Sequence, residues 1–316
     1  MAHLEQFNIT LTPLALPGPD NRPEPIRRYL NVPAFLTTEQ TDALWKRSKE
    51  LLDEFNPDEH PLTRFKTSDM DHVGDEYFLT SGDKIRYFLD DDALDKDGKL
   101  TREKDRAVNK IGHALHELEP EFRKVTLENE KLRSLARDLK FHHDPVALQS
   151  MVIYKQTHVG GAVPEHNDST FLASSYMPYT NPPTALGYWI ALEKCTPQNG
   201  ALSFLPGSHK TMPIAKRFVR LPGGGTGFER LISPEEEKKA LDECKGEYVM
   251  QECNAGDLVL IHGAVLHKSE RNTSPNTRLA YTFHTIESPP HAIYDEKNWL
   301  QPTADMPFPH VLPATA

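Results

Sequence analysis

Gly256-Asp257-Leu258-Val259-Leu260-Ile261-His262-Gly263-Ala264-Val265-Leu266-His267-Lys268-Ser269 reads as a strand, a tight turn and the start of a second element. The run 257–262, aliphatic at 258–261, suits a buried strand, Gly263 supplies the turn, and His267 stands just beyond it. Ser269 lies two residues past His267, and in an extended chain such residues point the same way. Runs of similar texture, bounded by Gly and Pro, recur at 146–156, 186–193, 201–205, 248–252 and 278–286. A short helix with Ser233 as N-cap and Pro234 at its first position interrupts them.

Upstream the texture is helical. Thr37 and Gln40 form a capping-box pattern, and Ala43, Leu44, Leu51, Leu52 and Phe55 recur at helical spacing. Val108, Ile111, Leu115 and Leu118 read as one face of a helix, and Leu132, Leu135 and Leu139 as one face of another. Between them, 77–89 reads as a strand pair around Ser81-Gly82-Asp83, and Asp95-Lys96-Asp97-Gly98 as a turn. Residues 1–30, with five prolines, read as an extended arm, and residues 31–316 as a single domain. Helices first and strands after predict a mainly β fold with flanking helices, built on an antiparallel sandwich or barrel.

Composition narrows the functions. The 316 residues carry a formal net charge of −10, which gives no electrostatic reason to sit on nucleic acid or an anionic membrane. No apolar run is long enough for a transmembrane helix, and the first residues do not form a secretory signal. The three cysteines, Cys195, Cys244 and Cys253, are widely spaced and form no CxxC pair, so a reduced, cytoplasmic setting without a zinc–thiolate site is expected. Oligomeric state is not legible.

Chemistry is concentrated in three places. In Pro164-Glu165-His166-Asn167-Asp168, His166 and Asp168 project together if the segment is extended, supplying two of the three ligands of a facial metal triad. The second histidine would come from the segment quoted first, where His262 and His267 both stand. Arg278 opens the run 278–286, and a guanidinium at the mouth of a β-rich core needs a carboxylate, its planar fork suiting a dicarboxylic acid. The pair His142-His143 faces opposite ways in an extended chain and reads as solvated. Gly223-Gly224-Gly225-Thr226-Gly227 lacks the ending of a phosphate loop and reads as a flexible loop, either near a substrate entrance or plain surface. Lys216, Arg217 and Arg220 read as a solvated charged face rather than an anion site.

The set His166-x-Asp168, Pro206-Gly207-Ser208-His209, His267-x-Ser269 and Arg278 resembles the phytanoyl-CoA dioxygenase family. Further matching stretches are 77–86, 109–116, Gln149-Ser150-Met151 and 298–303, so the likeness covers most of the chain. The resemblance implies a double-stranded β-helix, or jelly-roll, core. It implies iron(II) held by His166, Asp168 and His267, which selects His267 over His262. It implies 2-oxoglutarate as co-substrate, its far carboxylate on Arg278 with help from Ser269, and Lys110, Met151 and Trp189 lining its site. Asn167 departs from the glutamine of close relatives, at a position that is not a ligand. The implied activity is that of a dioxygenase using O2, with ascorbate as reductant. It oxidises a carbon of a small-molecule substrate while 2-oxoglutarate becomes succinate and CO2. Hydroxylation is the simplest outcome; desaturation, epoxidation or rearrangement use the same site. A non-enzymatic metabolite binder and a cupin-like enzyme without 2-oxoglutarate are the other readings, and the latter would leave Arg278 without a purpose.

Overall fold

Strand Arg278–Glu287 is the spine of the molecule, and all of its residues are buried. The computed structural model describes residues 29–62, 76–169, 180–181, 183–244 and 246–313. Most of the expected arm therefore lies outside the described residues; Tyr29 and Leu30, its last two positions, already belong to a strand. In chain order the strands are β1 (Tyr29–Val32), β2 (Ile85–Leu89), β3 (Val108–His113), β4 (Pro145–Lys155) and β5 (Val163–His166). Next come β6 (Thr180–Asn181), β7 (Leu186–Ala191), β8 (Leu202–Phe204), β9 (Lys216–Arg220) and β10 (Thr226–Arg230). The last are β11 (Val249–Gln251), β12 (Leu258–His262), β13 (His267–Ser269), β14 (Arg278–Glu287) and β15 (Ile293–Tyr294).

A seven-stranded sheet runs β1-β12-β7-β14-β4-β3-β2, and a four-stranded sheet runs β11-β8-β13-β5. Every neighbouring pair within them is antiparallel. The two pack face to face as a jelly roll, the expected fold. Side-chain alternation divides the large sheet into two faces. On the outer face Val152, Tyr154, Tyr188, Ile190, Leu258, Leu260, Leu279, Tyr281 and Phe283 join one apolar core with Leu44, Leu51, Phe122, Val125, Leu132 and Leu135. Those last six come from helices Thr38–Asp53, Pro120–Thr126 and Glu130–Leu139, which cover the sheet. On the inner face Trp189, Ala191, Val259, Ile261 and Ala280 meet Leu202, Phe204 and Val265 of the small-sheet side.

The helix at Thr37 starts as its sequence requires. The Thr37 hydroxyl accepts from the Gln40 N–H at 3.2 Å, and the Gln40 side chain accepts from the Thr37 N–H at 3.0 Å. Helices Glu130–Leu139 and Pro234–Glu243 also stand where expected, the latter capped by Ser233. Two expectations fail. Val108 to Leu118 is not one helix but β3 followed by a single helical turn, Leu115–Leu118. Its register with β2 pairs Phe88 with Lys110 and Leu89 with Val108, leaving Asn109 as an extra, bulged residue. The bulge returns Val108 and Ile111 to one face at a spacing of three, which imitates a helix. Residues 77–89 are likewise not a strand pair, because Glu76–Leu79 is a helical turn and only Ile85–Leu89 pairs, as β2. The glycine-rich loop is the tip of the β9–β10 hairpin, where Gly224 and Gly225 take positive φ. Of the basic trio beside it only Arg220 is exposed, donating to the carbonyl of Trp299, while Lys216 is buried over the Phe228 ring and half-buried Arg217 pairs with Asp295 and Glu229.

Candidate metal and co-substrate site

Two distant segments meet through strand pairing. β13 pairs with β5, and the register sets His267 directly opposite His166, with ring centroids 4.2 Å apart. Asp168 follows two residues after His166, on the same side. His166 Nδ1 lies 2.8 Å from the Pro164 carbonyl and His267 Nδ1 3.1 Å from the Val265 carbonyl. A carbonyl can only accept, so both Nδ1 atoms carry a proton, and in the neutral rings that leaves the Nε2 lone pairs facing Asp168. Those Nε2 atoms stand 3.7 and 3.5 Å from Asp168 Oδ1.

These distances are too long for hydrogen bonds and suit donors facing one ion, since ligands about 2 Å from a metal sit roughly 3 Å apart. The three donor atoms lie within 4.8 Å of one another, and among the described residues no other His, Cys, Asp and Glu group does this. All three residues are buried. Burial pushes the His166 imidazole down to about 4, with His267 beside it adding to the effect. Burial would raise the Asp168 carboxyl, but His267, His284 and His166 together hold it well below the carboxylate range. Asp168 Oδ2 is buried with no hydrogen-bond partner. A divalent cation fits this set, because a carboxylate and two imidazoles whose Nε2 atoms face it supply the donor types of a facial triad.

The cavity holding the triad has a volume of about 100 Å³, and its walls include Lys110, Met151, Trp189, Ser269 and Arg278. Every site residue expected from the sequence is thus brought to one place. Arg278 is 1 % exposed. Its Nη2 donates to the Gly200 carbonyl and to Ser269 Oγ, each at 3.3 Å, and its Cζ lies 5.3 Å from the centre of the Trp189 ring. Its Nε and Nη1 have no partner. Lys110, on β3 rather than on a helix, is buried, and burial pulls its ammonium down to about 7 against the nearby Asp91 and Asp90.

Sequence reading missed Lys155, which the register places directly opposite Arg278. Its ammonium is also buried and donates to the carbonyls of Gly161 at 2.7 Å and Glu270 at 2.6 Å. Among the described residues no carboxylate forms an ion pair with either cation. Burial, with Arg278 beside it, pulls the Lys155 ammonium well below its ordinary range, and an anion in the cavity would relieve both groups. Sequence reading also missed His284, which lines the same cavity. Counting in twos from Arg278 reaches Ala280, Thr282 and His284, and this period was the available signal. The alternatives lie elsewhere. His262 Nδ1 accepts from the Ala264 N–H at 3.0 Å and the ring packs on Phe141. His142 donates to the Thr184 carbonyl at 2.7 Å, so it is half-buried rather than solvated, and exposed His143 stacks on His291.

A jelly roll with a buried two-histidine, one-carboxylate triad defines a class, the non-haem iron oxygenases. Comparison with known proteins agrees. The family model for phytanoyl-CoA dioxygenase (PhyH) matches residues 27–280. A Caenorhabditis elegans homolog of phytanoyl-CoA dioxygenase domain-containing protein 1 is 41 % identical over 284 residues, covering 89 % of this chain and 94 % of the relative. The Bos taurus protein of that name is 40 % identical over 286 residues, covering 89 % and 93 %. Among solved structures, the non-heme alpha ketoglutarate dependent carbocyclase SnoK from nogalamycin biosynthesis superposes with a TM-score of 0.56 at 17 % identity, covering 85 % of this chain and 83 % of that one. EctD from S. alaskensis, solved with 2-oxoglutarate and 5-hydroxyectoine, gives 0.52 at 18 % identity, covering 82 % and 72 %. The chain belongs to the phytanoyl-CoA dioxygenase family and is an oxidoreductase. No helix among the described residues is long and apolar enough to cross a membrane.

Proposed function

We propose that this protein is an iron(II)- and 2-oxoglutarate-dependent dioxygenase that hydroxylates an unactivated carbon of a small organic molecule. The observation that carries the reading is a single cavity shared by the His166, Asp168 and His267 donors and a buried guanidinium with two unused N–H groups. In this reading His166, Asp168 and His267 hold iron. Arg278 grips the far carboxylate of 2-oxoglutarate through Nε and Nη1, and Ser269 fixes the guanidinium by its contact with Nη2. Lys155, opposite Arg278, adds positive potential without giving up its carbonyl partners. Lys110 adds a cation to the wall, while Met151 and Trp189 shape the apolar sides and keep water out. Iron with 2-oxoglutarate and O2 supplies the oxidising power, 2-oxoglutarate leaving as succinate and CO2.

The experiment is incubation of the purified protein with iron(II), ascorbate and labelled 2-oxoglutarate, following succinate. Slow succinate release without added substrate is expected, and none from His267→Ala. Undiminished release from His267→Ala would sink the reading.

A further inference from the structure

The second oxygen of Asp168 is buried and lacks a hydrogen-bond partner. A candidate donor is His284, on the inner face of β14, whose Nε2 stands 3.6 Å from Asp168 Oδ2. His284 is itself buried, and its Nδ1 has no partner either. The space between the two groups exists because of a glycine. Across the sheet His284 faces Gly187 of β7. A Cβ at Gly187 would sit 3.0 Å from His284 Nε2 and 3.2 Å from Asp168 Oδ2. No positive φ requires glycine at position 187, so what the position supplies is room.

We propose that His284 is a positioning residue: when a cation takes Oδ1, the His284 Nε2–H, which stands 3.6 Å from Oδ2 in the structure, closes on that oxygen, so that Oδ1 alone is presented between His166 and His267. This rests on the reading of those three residues as metal ligands. The physical reason is rotation about the bond from Cβ to the carboxyl carbon. A carboxylate free to turn can offer either oxygen or both to a cation. One held by a donor on the far side offers one oxygen in one direction, and groups that orient ligands in this way typically contribute 10–100-fold to metal affinity. The donor must act across a closed strand pair, which explains why it comes from β14 and why β7 carries no side chain at that position.

Cobalt(II) is the probe, added to the full-length apo-protein and followed by its visible absorption, which reads affinity and coordination without turnover. His284→Leu fills a similar volume without a donor, and is expected to weaken cobalt(II) binding about 10–100-fold and change the spectrum. His284→Gln restores an N–H donor and should recover most of the affinity. Gly187→Ala, with His284 retained, should weaken binding in the same direction, and carries the test should His284→Leu fail to fold. Wild-type affinity and spectrum in His284→Leu would overturn the proposal, as would equal losses in His284→Leu and His284→Gln. Asp168→Ala separates this from the underlying reading. If Asp168→Ala loses cobalt(II) while His284→Leu keeps it, only the role of His284 falls. If Asp168→Ala keeps it, the ligand assignment falls as well.

Discussion

The two faces of β14 divide the molecule's work. Leu279, Tyr281 and Phe283 point outward into the helix-covered core, where Tyr281 meets Phe122 at 4.8 Å between ring centres and Phe283 stacks on Tyr188 at 4.5 Å. Arg278, Thr282 and His284 point inward and line the cavity. The outer set is fully matched by apolar neighbours. The inner set includes a guanidinium and an imidazole with unsatisfied nitrogens, a state that costs stability until something polar enters the cavity. One strand therefore carries rigidity on one side and unspent binding capacity on the other. The rigid side holds the positions of the groups that the other side uses.

That division can be broken most sharply at the triad. His166→Ala and Asp168→Ala should each reduce succinate release to background while leaving the urea midpoint of the apo-protein close to wild type. A large fall in that midpoint would mean the inner face is structural after all. On the outer face Phe283→Ala should cost about 3–5 kcal/mol by urea unfolding, with 2-oxoglutarate affinity per folded molecule unchanged. Arg278→Ala should raise the 2-oxoglutarate concentration needed for half-maximal turnover roughly 10–100-fold, the loss of a charge-assisted hydrogen bond. Cobalt(II) affinity in that variant should stay the same, and its loss would mean that the metal end and the guanidinium end of the cavity act as one.

The smallest effect is one of pH. Burial pushes His116 down to about 3 from an ordinary 6.5, and His113 well below 6.5. In the unfolded chain both protonate near the ordinary value, so below it the unfolded state binds more protons than the native state. Stability is then full above pH 6.5 and declines as pH falls from 6.5 toward 3. Urea midpoints measured at pH 7.5 and at about pH 5 should show this decline. His116→Gln should flatten it without altering 2-oxoglutarate binding. An unchanged slope would place the acid sensitivity elsewhere.

Much of the site was legible before any coordinates. His166 and Asp168 share a side because two residues apart in an extended chain must. Ser269 followed from His267 by the same rule, Arg278 from the need of a guanidinium at the mouth of a β-rich core for a carboxylate, and the likeness to a known family chose His267 over His262. Lys110 was expected in the site but on a helix, and the bulge at Asn109 explains the error. His284 was missed although the period of two from Arg278 reaches it, and Lys155 was missed because nothing local to it says what lies across the sheet.

Sequence alone determined the features written within a few residues: the caps at Thr37 and Ser233, the alternation that sorts β14 into two faces, and the donor types at His166, Asp168 and His267. Tertiary structure alone decided which partners those residues meet. His166 lies opposite His267 because β5 pairs with β13, Arg278 opposite Lys155 because β14 pairs with β4, and His284 opposite an empty position because β14 also pairs with β7. The reason is range. Capping and alternation are set by bonds between near neighbours, whereas strand register joins segments about a hundred residues apart and is fixed by the packing of both sheets together.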